Sequence, residues 1–201
     1  MTTLGLRGAF FHVIDSHRWL AASGCVWNLV GPSAQGETKQ KAHKLLQNVD
    51  VLARDTLLLH SRSLIDFYTK TPQPGSTDIF LRDFGVSVNS KIHQQLEQYK
   101  KPIEVHLLHL TDWRDPAHRN LHATGQQGNR QRTDWDSQAS LIVESILDAL
   151  KYVSEQSSSW QIPFKDLYDA STGRFRDNSY GWPANLGEWE DVEKYLASCG
   201  L

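Results

Sequence analysis

Ionisable side chains interrupt an apolar stretch of the chain at residues 54–68. Among its leucines and aromatic residues stand Arg54, Asp55, His60, Arg62 and Asp66. Charged groups on an apolar helix must be paired, reach solvent along their methylene stems, or take part in function. An unperturbed imidazole titrates at about pH 6.5 and can exchange a proton at neutral pH, whereas a guanidinium can hold a phosphate through two hydrogen bonds.

Helical geometry separates these side chains into two groups. Residues advance by about 100° each along an α-helix, so Asp55, Arg62 and Asp66 share one face, where Arg62 can pair with either carboxylate. Arg54 and His60 lie about 120° apart around the helix and about 9 Å apart along its axis. To act together they need the full reach of the arginine or two copies of the helix.

The spacing Arg54-Asp55-x4-His60 resembles the signature of the HEPN superfamily, in which an arginine and an adjacent polar residue precede a histidine by about four to six intervening residues. The run at 60–67 and the segment 109–114, His-Leu-Thr-Asp-Trp-Arg, are similar to segments of uncharacterised bacterial HEPN-like and abortive-infection-like proteins. The resemblance covers roughly residues 45–150.

This resemblance implies a dimeric helical bundle that cleaves RNA by metal-independent transesterification, within a toxin–antitoxin or anti-phage system. His60 would act as general acid or base, Arg54 would hold the scissile phosphate, and Asp55 would orient a partner or tune its pKa. The implied partners are a second copy of the chain, RNA and an antitoxin protein, with no cofactor. The alternative is a non-catalytic helical interaction or RNA-binding module, in which the same side chains are structural.

Other polar residues are expected to support this site or to bind RNA. We expect a structural ion pair between Arg62 and Asp66, since they lie four residues apart on one helix face. His109 and Arg114 belong to the resembling segment and are assigned to site support. Positive charge also gathers around a polar loop at 124–132, and there Arg119, Arg130 and Arg132 are candidates for contact with the RNA backbone. The alternative for these arginines is a solvated face.

Four histidines have a spacing that can hold a metal, His106 with His109 and His118 with His122. Pro116 falls between the two pairs, and no HExxH motif is present. We therefore assign no metal ligand, and we favour packed or solvated histidines over a metal site.

Composition limits the classes of function. The 201 residues carry a net charge of −2, so any contact with RNA must be local rather than a property of the whole surface. No apolar run approaches the roughly 20 residues of a membrane helix, and residues 1–25 lack the apolar core of a signal peptide. Cys25 and Cys199 form no disulfide framework, which favours the cytoplasm.

The elements that must position these residues are helical. Apolar periodicity predicts an all-α protein, with a bundle of four or five helices at 1–156 (HEPN-like core about 37–156) and an aromatic-rich C-terminal extension at 157–201 packed on it. The predicted helices are 7–30 with a break near Gly24, 37–70, 89–100, 103–113 begun by Pro102, 134–155 and 188–198. Residues 78–85 are expected to be a short aromatic linker.

Overall fold

The computed structural model describes residues 3–30, 47–71, 78–112, 135–176 and 182–201. In these ranges every regular element is helical, which confirms the all-α class there. The α-helices are α1 (Thr3–Val30), α2 (Gln47–Thr69), α3 (Ser90–Asp112), α4 (Trp135–Ser154), α5 (Gln161–Arg176) and α6 (Trp189–Ser198). Two 3-10 helices span Leu81–Phe84 and Ala184–Leu186. None of the helices described has both the length and the apolarity needed to cross a bilayer.

Helix α2 is central to the bundle, because it contacts α1, α3 and α4. Its apolar residues Leu57, Leu64 and Ile65 are almost completely buried in one continuous core. Helix α1 packs along α2 and also contacts α4 and α5. The predicted helix at 37–70 is thus present over Gln47–Thr69, and its first ten residues lie outside the described ranges.

Helix α1 continues through Gly24, so the predicted break at this glycine is wrong. A Cβ atom added at Gly24 would lie 2.8 Å from Cε2 of Phe175, whose ring is buried against α1. The glycine therefore serves close packing between α1 and α5 rather than a turn. Glycine costs a helix interior only about 1 kcal/mol relative to alanine, which such packing can offset.

Replacing Gly24 with alanine tests this close packing. The added Cβ must displace the Phe175 ring, and overpacking of this kind costs about 1–3 kcal/mol, partly offset by the better helix propensity of alanine. We expect a lower free energy of unfolding in urea. The matched control is Gly8→Ala in the same helix, where the added Cβ meets nothing within 4 Å. That variant should gain about 0.5–1 kcal/mol, so equal effects at both positions would contradict the packing argument.

Helix α3 is continuous across Pro102, which corrects the prediction of two helices at 89–100 and 103–113. Proline inside a helix removes a hydrogen bond and costs about 3 kcal/mol. Contacts on both sides of it offset that cost, since Leu96 and Ile103 are fully buried. In addition, Lys100 and Glu104 form ion pairs with α2. Tertiary contacts therefore override the local signal of a helix start.

The segment predicted as an aromatic linker is part of the core. Its 3-10 helix buries Leu81 and Phe84. The ring centroid of Phe84 lies 4.9 Å from that of Trp160 and 6.1 Å from that of Phe10, so the segment joins α1 to the start of α5. Asp83 stabilises the turn, since its carboxylate accepts a hydrogen bond of 2.8 Å from the Phe80 amide.

The first half of the predicted C-terminal extension contains a full bundle helix. Helix α5 contacts α4 and α1, and its Phe164 and Leu167 are fully buried. Helix α6 lies within one residue of the predicted last helix, 188–198, and packs Val192 and Leu196 into the same core. The bundle described is therefore larger than the predicted four or five helices.

A buried polar pair joins α1 to α2. The Nε2 atom of His17 lies 2.9 Å from the hydroxyl oxygen of Tyr68, and both side chains are buried. Burial lowers the pKa of His17 to about 3 and raises the pKa of Tyr68. Both groups are therefore neutral at physiological pH.

Acidification should destabilise the fold through His17. The unfolded chain binds this proton at about pH 6.5, whereas the folded chain binds it only near pH 3. Stability is therefore full above pH 6.5 and falls as the pH drops from 6.5 toward 3, by up to about 1.4 kcal/mol per pH unit. In urea unfolding at a series of pH values, His17→Gln should show a flatter acid limb than the wild-type chain, because glutamine does not titrate. An unchanged slope would contradict this assignment.

Candidate functional site

A groove runs along the surface between α1 and α2, with a volume of about 440 Å³. Small residues of α1 (Gly5, Gly8 and Ala9) form one wall, and Val13, Leu64, Phe67 and Ile79 give it an apolar lining. Its polar lining groups are His12, Ser16 and Ser63. The groove thus combines apolar area with a few hydrogen-bonding groups, which is typical of ligand sites.

His60 and Trp19 lie one helical turn beyond the residues that line this groove. His60 precedes Ser63 by three residues on α2, and Trp19 follows Ser16 by three residues on α1, so each aromatic ring is one helical turn from the lining. The rings of His60 and Trp19 are nearly parallel, with an interplanar angle of 14° and centroids 6.3 Å apart. His60 is half-buried, and 47% of Trp19 is exposed.

The surroundings of His60 favour its neutral form. Burial lowers the pKa of His60, and the nearby carboxylate of Asp15 partly opposes this by stabilising the protonated ring. A neutral imidazole at a position that solvent can reach is able to accept a proton, as a general base must.

Arg54 and Asp55 contact each other directly. The Nε atom of Arg54 donates to Oδ1 of Asp55 at 3.0 Å, and each side chain is 24% exposed. Because α2 is continuous between Arg54 and His60, the two side chains point to different faces of one helix. Their cooperation across two copies of the chain stays a prediction.

Arg62 and Asp66 belong to a charge network between α2 and α3. Arg62 contacts Asp66 and donates from Nε to Glu104 at 2.9 Å. Asp66 also contacts Lys70 at 2.8 Å and Lys100 at 3.1 Å. Burial alone would raise the pKa of Asp66, but the hydrogen bonds from its cationic neighbours lower it below the usual range. Arg62 lies about 160° around α2 from His60, so the network is on another side of the helix.

Asp66→Asn should destabilise the fold, because it leaves three cations facing a neutral amide. We expect a loss of about 1–3 kcal/mol, between the values typical of exposed and of buried pairs. The lowered pKa of Asp66 also predicts how stability depends on pH. The network contributes its full stabilisation above about pH 4, and this is lost as the pH falls further. Thermal unfolding at neutral pH measures the first effect and acid titration of stability the second.

The control is Asp191→Asn on α6, whose carboxylate faces Lys194 at 3.8 Å with both side chains largely exposed. Such a surface pair contributes about 0–1 kcal/mol. If the two variants lost the same stability, the α2–α3 network would be no more than surface pairing.

The remaining predicted site residues fall outside what the structure describes. His109 lies in α3, but its side chain is outside the described part, as is that of His106. The same holds for all of Arg114, Arg119, Arg130, Arg132, His118 and His122. Their assigned roles stay predictions. Among the residues described, no three His, Cys, Asp or Glu side chains are grouped as they would be around a metal ion.

Trp19 is a residue beside the site that the sequence analysis did not single out. Its position around α1 could have predicted that its side chain is exposed. Trp19 lies nine residues, or about 180°, from Phe10, which is fully buried. An indole opposite the buried face of a surface helix must be exposed unless another element covers it.

The chain matches no family model, and comparison with curated proteins and with solved structures returns no match either. Among the residues described, the fold and the site define an all-helical bundle with a surface groove between α1 and α2. The likeness to the HEPN superfamily rests on the motif residues alone.

Proposed function

We propose that the chain is a HEPN-like, metal-independent ribonuclease that acts as a homodimer on RNA in the cytoplasm, within a toxin–antitoxin or anti-phage system. The observation that carries this proposal is the placement of His60, the histidine of the motif. It is half-buried, stands one helical turn before the groove-lining Ser63, and stacks beside an exposed indole. His17, by contrast, is sealed in the core and bonded to Tyr68.

The chemistry would be transesterification at a phosphodiester. The neutral ring of His60 accepts the proton of a ribose 2′-hydroxyl, or in its protonated form gives a proton to the leaving 5′-oxygen. The 2′-oxygen forms a bond to phosphorus as the bond to the 5′-oxygen breaks, which leaves a cyclic phosphate. Arg54 binds the phosphate and the charge that develops on it. Since Asp55 engages Nε of Arg54, the terminal Nη atoms would meet the phosphate.

A second copy of the chain would supply the arginine that acts with His60. Leu52 and Leu59 on α2 are 65% and 54% exposed, on either side of Arg54 in sequence and next to His60. Seven residues apart, they share one face of α2 and offer it exposed apolar area that a second copy of the chain would cover. Arg54 lies about 140–160° around α2 from these leucines, so in a dimer paired through them it would have to reach His60 of the other copy around the helix.

The decisive experiment compares growth and RNA cleavage for the wild-type chain, His60→Ala and Arg54→Ala. The wild-type chain should arrest growth on expression and, once purified, cleave single-stranded RNA in the presence of a chelator. Each variant should lose about 100-fold or more of the cleavage rate while keeping its circular dichroism. His93→Ala, a half-buried histidine on α3, is the matched control and should keep the rate. Equal toxicity and cleavage of His60→Ala and wild type would remove His60 from catalysis.

A mixture of the two variants tests whether the site is shared. When His60→Ala and Arg54→Ala are mixed in equal amounts and allowed to exchange, half of the dimers are mixed, and each of these holds one intact composite site. The mixture should regain about one quarter of the wild-type rate. A site built within one chain would regain nothing.

One observation favours the alternative, a non-catalytic interaction or RNA-binding module. Arg54 already has a carboxylate partner within its own chain, as a structural arginine would. In that case the wild-type chain and His60→Ala would bind RNA equally, and neither would cleave it.

A further inference from the structure

The indole of Trp19 is exposed on the surface of α1, beside the ring of His60. Aromatic pairs have centroid separations of roughly 4.5–7 Å, and the 6.3 Å between Trp19 and His60 is near the long end of this range. Near-parallel rings at such a distance are either strongly offset or spaced apart. In both cases much of the indole face stays uncovered, in agreement with its 47% exposure.

The groove beside this face is large enough to take a nucleotide. Its volume of about 440 Å³ lies in the range typical of small-ligand pockets. Leu64 and Phe67 supply apolar area, and the hydroxyls of Ser16 and Ser63 can bond to a polar edge. The Ser63 hydroxyl donates weakly to the carbonyl of Leu59, at 3.3 Å, so its lone pairs remain able to accept.

The cation next to Trp19 in sequence is paired with a carboxylate. Arg18 contacts Asp15 at 3.4 Å, and both side chains are more than a third exposed. This pair gives an anionic backbone little net attraction beside Trp19, in the middle of α1. A planar, uncharged ring, in contrast, gains from stacking on the indole whatever the local net charge.

We infer that Trp19 is a stacking platform for a base of single-stranded RNA, and that the groove between α1 and α2 receives the adjoining nucleotide. Trp19 is thus a substrate-binding residue, and His60 lies where the sugar and phosphate of the stacked nucleotide would pass. The inference deepens the proposed function and rests on it for the identity of the ligand. Binding does not require cleavage, so the two can fail separately.

The test is the affinity for a fluorescent oligoadenylate of about ten nucleotides, measured by anisotropy in a His60→Ala background so that the probe stays intact. In that background Trp19→Ala should weaken binding by about 5- to 150-fold, which corresponds to the loss of about 1–3 kcal/mol of base stacking. Trp19→Phe should keep most of the affinity, since a phenyl ring can also stack. Leu141→Ala on α4, a loss of comparably exposed apolar surface (55%), should bind unchanged.

Several results would overturn the inference. Unchanged affinity of Trp19→Ala, or no binding of the oligonucleotide by any variant, excludes the platform. Equal weakening for duplex RNA shows that backbone contact rather than base stacking was lost.

If sedimentation shows that Trp19→Ala converts a wild-type dimer into monomers, the indole belongs to a protein interface instead. If the wild-type chain cleaves RNA while Trp19→Ala keeps its affinity, the ribonuclease stands and the platform fails. If stacking is found but His60→Ala is as toxic as the wild-type chain, the platform stands and the ribonuclease fails.

Discussion

The packing of α1 along α2 is the contact on which the rest of the structure depends. It buries the apolar faces of both helices, and it encloses the hydrogen bond between His17 and Tyr68. The same contact opens a groove along its outer edge, because small residues of α1 such as Gly8 leave space beside Leu64. The same helix pair therefore forms part of the core on its inner side and a surface groove on its outer side.

Helix α2 places its polar groups in three different environments. Tyr68 is buried against α1, and Asp66 is held by Arg62 of α2, by Lys70 just after α2 and by Lys100 of α3. His60 reaches the surface beside Trp19. A polar group inside the core is stable only when it is neutral or bonded, whereas a charged group at a helix interface needs partners of opposite sign. Only the third environment leaves a titratable group within reach of a ligand.

Sequence patterns predicted the elements in which apolar periodicity is strong and failed where tertiary contacts override local signals. The stripe of α4 placed that helix within a residue or two. Pro102 indicated a helix start, yet buried neighbours and ion pairs carry α3 through it. Gly24 indicated a break, although its role is to admit Phe175. Helix α5 was missed because its Pro163 and Gly173 are typical of loops, while its Phe164 packs into a core formed by distant segments.

For the site, helical angle alone was enough to separate Arg54 from His60 and to group Arg62 with Asp66. What it could not supply was the environment of each side chain, which depends on the neighbouring helix. His17 and His60 are the same residue type, and each faces the α1–α2 contact with an aromatic neighbour from the other helix. Burial lowers the pKa of both, to about 3 for His17, but only His60 keeps solvent access. An imidazole that exchanges protons with a ligand needs that access, so of these two histidines only His60 is placed to do so.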